Sequence, residues 1–426
     1  MLFILLIPFA FLVWFRPKYA LWLTLILIPA YQIKGIIYNI PVTFLELMIL
    51  ILVLIYGLKN IKRIKEFIQN LKDWQWPILA WLIIATLAMF ISPDLRAGAG
   101  VWKAYFIEPI LLLIVFLDLI KNKKDLKLIL SAFIFSTLIV SIYALYQKFL
   151  GQGIWSTEVW GQPQVLRITS FFPHPNFLGL YLGPLILLSM GYIFSYFKNK
   201  KIIIGCALLL FIITFLSLVY ARSEATILAV LVGLFFLSLI IKPSQKYALV
   251  FLFIILLLIF SIPVSRNYFV QKVGLQDLSG QLRFNIWQGA VELIKEKPIL
   301  GVGLDGYERL APDYQKRFYD PHTGELISVE THPYPHNLYL TLWLELGLLG
   351  LIIFAWILIK FFKQGLKQLG KKDIIVSTSI MAAMIVIIVH GLADTPYFKN
   401  DLAVLFWLII GLLIVSKRLI KETKVL

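Results

Sequence analysis

Apolar runs of 14 to 24 residues follow one another along almost the whole chain, separated by short polar or basic connections. They fall at 2–15, 19–33, 42–58, 76–91, 104–120, 126–149, 175–197, 202–219, 224–241, 247–264, 337–359, 374–393 and 402–416. A helix crossing a hydrocarbon core of about 30 Å needs about 20 apolar residues. The pattern therefore predicts an all-α polytopic membrane bundle of twelve or thirteen crossings, with the first two runs short enough to form a re-entrant pair instead. With 60% of residues hydrophobic and 15% charged, no large soluble domain remains to be accommodated. We treat 1–426 as one membrane domain, with 265–335 as a long loop inserted between spans.

The formal charge of +17 does not indicate nucleic acid, because the basic residues are scattered between apolar runs rather than gathered on one face. They alternate instead. Arg16/Lys18, Lys59 to Lys72, Lys121 to Lys127, Lys198 to Lys201, Lys242/Lys246, Lys360 to Lys372 and Lys417 to Lys424 hold 25 of the 40 basic residues. Lys and Arg are retained on the cytoplasmic side, so these connections and the C-terminus are expected inside. The 265–335 loop, nearly balanced at eight basic against nine acidic residues, falls outside. Arg283, Trp287, Ala290 and Leu293 recur there about one turn apart, which predicts an amphipathic helix. Residues 1–15 lack a basic leader and a small-residue cleavage site and read as an uncleaved first span. The single cysteine, Cys206, lies in an apolar run and reads as a buried small hydrophobe.

Few ionisable residues fall where a membrane makes them costly, and each is a candidate for function. Arg222 lies in the short outer connection Tyr220–Glu224, where snorkelling or pairing with Glu224 would also explain it. Arg283 opens the loop helix. Planar guanidinium forks suit diphosphates, so two outward arginines could clamp a lipid-linked diphosphate if they converge. His336 closes the long loop at the mouth of the next span, where a neutral imidazole could take a proton from a hydroxyl. Asp394 ends a span on the same side and could orient His336 or pair with an arginine. His332 lies four residues before His336, but Pro333 and Pro335 break any helix that would make the two a metal pair. The prolines of Phe172–Phe177 make a stiff approach to another span.

With these residues in view, the chain resembles the O-antigen ligase superfamily of bacterial membrane glycosyltransferases, which also contains O-antigen polymerases and O-oligosaccharyltransferases. His336-Asn337 followed after nine residues by Gly347-Leu-Leu-Gly350 reproduces the ligase-type pattern, and Gly301-Val-Gly-Leu-Asp-Gly306 is similar to the family's glycine-rich loop. Arg222 and Arg283 match family arginines, although Ala221-Arg222-Ser223 departs from the commoner Ser-Arg-Gly. Phe172 to Asn176 resembles the family's Phe-x-x-Pro-Asn.

The resemblance implies a metal-independent, inverting transferase without cofactor in a bacterial inner membrane, its site facing the periplasm. The donor would be a polyprenyl (undecaprenyl) diphosphate glycan and the acceptor a lipid A core or similar glycan. His336, Arg222 and Arg283 would be catalytic, with Arg222, Arg283, Asn337, Asp394 and Asn176 at the substrate. A polymerase could use the same residues. A lipid-linked glycan transporter, the reading from another class, would need ionisable groups near the midplane, and Glu46 and Glu108 are the only carboxylates expected deep in spans.

Overall fold

Each apolar run that can be followed becomes helical, with interruptions that the sequence marks. The structure, a computed structural model, describes residues 2–38, 40–151, 155–157, 165–197, 200–241, 278–314, 318–319, 326–327, 332–369 and 374–422, with isolated positions between 245 and 275. The run at 247–264 lies outside the described residues. Helices α1 (Leu6–Phe15) and α2 (Pro17–Ile26) are ten residues each, too short to cross alone. A hairpin of β1 (Lys34–Ile37) and β2 (Ile40–Thr43) follows.

Helix α3 (Phe44–Lys59) begins on a capping box, Thr43 accepting from the Glu46 amide and Glu46 from that of Thr43. The chain continues through α4 (Ile64–Asn70), α5 (Gln75–Ile91), α6 (Leu95–Trp102) and α7 (Glu108–Leu119), with a π turn at Lys103–Ile107 joining the last two. Next come α8 (Lys123–Leu150), the pair β3 (Trp155–Thr157) and β4 (Val165–Arg167), α9 (Pro175–Phe197), α10 (Lys201–Tyr220) and α11 (Glu224–Ile240). The helix expected around Arg283 is α12 (Leu278–Glu296), followed by α13 (Gly306–Tyr314) and the short pair β5 (Phe318–Tyr319) and β6 (Leu326–Ile327). Helices α14 (Leu338–Leu366), α15 (Ile374–His390) and α16 (Asn400–Glu422) complete it.

Among the described residues, six helices are long and apolar enough to cross a membrane, and four shorter ones are apolar. The protein is an all-α polytopic membrane protein. Cys206 corrects its expected burial: it is exposed on α10 beside Ile202, Leu208 and Leu209, on a face that an apolar solvent would cover. Glu46 and Glu108 flank Lys103, at 3.4 and 3.8 Å. They are not the only carboxylates buried in the helices, since Asp118, Glu345 and Asp401 are as well.

The basic connections do gather. Asp118 receives Tyr56 Oη at 2.6 Å, Arg63 at 3.0 Å and Lys121 at 2.6 Å; Lys18 pairs with Asp125 at 2.6 Å and Lys417 with Asp73 at 2.7 Å. Arg418 donates to the carbonyls of Leu117 and Ile120. Helix α16 runs from this end to Asn400, and 21 helical residues rise about 30 Å, so its start lies at the other end of the bundle. That opposite end carries Asp394.

The glycine-rich segment 299–306 is clamped between α5 and α14. Val302 N donates to Leu344 O at 2.7 Å and Leu348 N to Ile299 O at 3.0 Å, across a kink in α14 at Gly347. Leu304 N reaches Ala88 O at 3.1 Å. Gly347 has φ 71° and ψ −179°, a region open only to glycine, and a Cβ there would overlap the Ile299 carbonyl. Gly303, at φ 82°, runs against the Ser92 amide in the same way. Gly347→Ala is therefore expected to destabilise the fold by about 2–4 kcal/mol. Thermal unfolding in detergent should show it, while Leu349→Ala, 51% exposed, should melt like wild type.

Candidate active site

His336 and Asp394 meet because the start of α14 is stapled to the end of α15. Leu338 N donates to Gly391 O at 2.7 Å and Tyr339 Oη to Ile388 O at 2.7 Å. Asn337 caps α14, its Oδ1 accepting from the amides of Tyr339 and Leu340 at 3.0 and 3.1 Å while its Nδ2 donates to Leu392 O at 3.1 Å. Asn337, expected at the substrate, thus has both polar atoms of its side chain engaged by backbone. Asp394 N bonds back to His390 O at 3.0 Å, turning its carboxylate toward the histidine. His336 Nδ1 lies 3.4 Å from Asp394 Oδ1, with side chains 26% and 4% exposed. His336 has φ 49° and Arg222 φ 50°, left-handed conformations that cost a non-glycine residue about 1–3 kcal/mol and concentrate at functional sites.

Burial acts to raise the Asp394 carboxyl. The His336 hydrogen bond, the charges of His336 and His390 and the Thr395 amide outweigh it and hold the group well below the usual carboxylate range. An ionised Asp394 can only accept, so the imidazole facing it must carry its proton on Nδ1. In the neutral imidazole Nε2 is then left as a proton acceptor, the arrangement a general base needs.

A second half of the site is built around Arg167, which sequence reasoning overlooked. From β4 its Nε donates to Ala221 O at 2.8 Å and its Nη2 to Arg222 O at 3.2 Å and Asn176 Oδ1 at 2.9 Å. It thereby braces the strained turn that carries Arg222 and occupies the oxygen of Asn176. Burial pulls Arg167 down to about 10, Glu224 opposes this, and Arg283 and Arg222 add to it. A signal was available: Arg167 is the lone basic residue between Lys148 and Lys198.

His174 joins the halves. Its Nδ1 accepts from Asn176 N at 3.1 Å. Burial, Arg167, His336 and His332 push it down to about 4 against the pull of Asp394, so it is neutral at neutral pH. His332 packs edge-on to His336, ring centroids 4.7 Å apart. Thr226 Oγ1 lies 2.7 Å from Ser223 Oγ and 3.4 Å from His390 Nδ1, tying the start of α11 to the end of α15. Among the described residues no group of three or more His, Cys, Asp and Glu side chains is placed to hold a metal ion.

Arg283 is partly buried on α12, whose Ile286, Ala290 and Leu293 pack with Val302, Tyr307 and Leu344. One turn on, Trp287 Nε1 donates to Pro335 O at 2.9 Å, beside His336.

Comparison with known proteins bears on this arrangement. Residues 208–355 match the family model described as O-Antigen ligase. Over this segment, about a third of its length, the chain is similar to the O-antigen ligase family. An 86-residue stretch is also 40% identical to a Rickettsia conorii protein provisionally named a polysaccharide ligase. The match covers 19% of each chain, so this protein spans about a fifth of the length of that relative. The segment shared with the superfamily contains Arg222, Arg283, His336 and Asn337. Arg167, Asn176 and Asp394 lie outside it.

Proposed function

We propose that the protein transfers a glycan from a polyprenyl diphosphate donor to an acceptor hydroxyl, as an O-antigen ligase does. The observation that carries this reading is the Asp394–His336 pair, Nδ1 to Oδ1 at 3.4 Å, with Pro335 beside it bonded to Trp287 on the helix that carries Arg283. His336 Nε2 takes the acceptor's hydroxyl proton while the oxygen attacks the anomeric carbon from the face opposite the diphosphate. The carbon–oxygen bond to the diphosphate breaks with inversion, and the lipid diphosphate leaves with the bonding pair. Because the leaving group is already good, catalysis needs mainly positioning, charge stabilisation and one base. Arg222 and Arg283 hold the diphosphate. Asn337 and Asn176 act by fixing the segments that carry His336 and Arg222.

The gathering of basic connections at the other end of the bundle supports a site on the non-cytoplasmic face of a bacterial inner membrane, with the C-terminus inside and 265–335 as a periplasmic loop. The test is purified protein in vesicles, given a labelled polyprenyl diphosphate glycan and a lipid A core glycan. Elongated acceptor should appear with an equal amount of free polyprenyl diphosphate. Chain growth only on a second lipid-linked glycan would identify a polymerase, and trans-bilayer movement of intact donor a transporter. In the same assay Asp394→Asn should slow transfer about ten- to a hundredfold, since an amide can face the imidazole in either tautomer and the native bond is long. An unimpaired Asp394→Asn would remove Asp394 from the site.

A further inference from the structure

Lys399 ends the segment that begins at Asp394, outside the residues shared with the superfamily. Its ammonium is surrounded by rings, Nζ lying 3.6 Å from the centroid of Phe177, 4.6 Å from Tyr31 and 5.5 Å from Phe172. Among the described residues the nearest carboxylate oxygen, Asp401 Oδ1, is 3.7 Å away, beyond hydrogen-bond length, and the buried Nζ has no hydrogen-bond partner. Among the described residues the contacts to this charge are therefore three π faces and one loose ion pair.

The rings come from two separate places. Tyr31 belongs to the turn before β1, whereas Phe172 and Phe177 bracket His174 and Asn176. On its own side, Lys399 is followed directly by α16 and preceded by Tyr397, whose Oη accepts from Trp81 at 3.0 Å and Trp407 at 3.2 Å and donates to Tyr105 O at 2.8 Å. One end of the cation's attachment is thus rigid, and the other is the segment that carries the Arg167–Asn176 half of the site.

We propose that Lys399 is a positioning residue whose ammonium, gripped by Tyr31, Phe172 and Phe177, locks the 172–177 segment against the Asp394 segment and so fixes the two halves of the site. The proposal rests on the glycosyl-transfer reading for its catalytic consequence but not for the lock itself. Burial depresses Lys399 to about 8; Asp401 and Asp394 oppose this and Lys34 adds to it. Among the described residues these groups and Tyr31, whose ring it faces, are its titratable neighbours. A depressed lysine is charged below its folded value and neutral above it. Raising the pH through about 8 therefore removes the cation while its apolar stem stays packed.

The test has two arms. Hydrogen exchange at one neutral pH, on the full-length protein in nanodiscs, should show lost protection across 172–177 in Lys399→Met compared with wild type and with His336→Ala. Transfer of a labelled polyprenyl diphosphate glycan should slow in wild type as the pH rises through about 8, in kcat rather than in the donor KM. Lys399→Met should start about tenfold slower at neutral pH and lack that alkaline fall. Lys399→Arg, which keeps its charge, should hold the neutral rate and also lack the fall. Unchanged protection in Lys399→Met overturns the lock. Lost protection with an unchanged rate profile overturns the positioning role, and so does an alkaline fall that persists in Lys399→Arg. A wild type that transfers nothing removes the glycosyl-transfer reading, while the exchange arm still decides the lock.

Discussion

His336→Ala is expected to reduce glycan transfer by about 10²–10⁴-fold, the usual contribution of a positioned general base, while leaving the protein in the membrane at its normal level. The two expectations separate because of where His336 sits. Its imidazole is a quarter exposed and holds no helix: the cap of α14 is made by Asn337, and the staple to α15 by Leu338 and Tyr339. Alanine lacks histidine's several-fold preference for the left-handed backbone at 336, a loss of under about 1 kcal/mol. The measurement is initial rate with labelled donor, normalised to protein recovered as a monodisperse peak. Asn337→Ala is the informative contrast, because it removes the cap and should lower recovery by weakening the fold by about 1 kcal/mol. Transfer that persists in a well-folded His336→Ala protein would take the base out of the proposal.

How far the sequence reached depends on the kind of force involved. Helices were legible because lipid leaves backbone groups no partner but each other, so any apolar run of sufficient length must become one. The kink at Gly347 was not, although Gly347 was already in view as part of a motif. Its role appears only when the Ile299 carbonyl arrives from another part of the chain. The same distinction runs through the site. Arg222, Arg283, His336 and Asp394 stood out singly, by cost at the membrane surface, but a charge gives no direction along the chain to its neighbours. Arg167 shows the limit: its lone place between Lys148 and Lys198 says nothing of the two carbonyls, at Ala221 and Arg222, that it bonds to set the other arginine's turn. Asn176 and Asn337 stand at the substrate only by what the resemblance implies. Folding uses both for backbone and arginine contacts that no periodicity encodes.

Arg283→Ala should lower kcat/KM for the donor by about 10²–10³-fold, and Arg283→Lys by an intermediate factor of about ten or more. Charge builds on the diphosphate as its bond to the sugar breaks, so a donor aimed at it stabilises the transition state more than the bound substrate. A guanidinium offers paired, planar donors to two phosphate oxygens, whereas an ammonium is a single point charge. Lysine therefore restores the electrostatics but not the fork, and the gap between the two variants measures geometry apart from charge. Arg309 supplies the control. It lies in the same loop, exposed and paired with Asp94 at 2.8 Å and Asp305 at 3.2 Å, and Arg309→Lys should transfer at the wild-type rate because exposed pairs contribute little. If Arg283→Lys matched both, the partly buried guanidinium on α12 would be a helix surface charge and no clamp. The diphosphate would then have to be held by Arg222 alone, across a turn that Arg167 already braces.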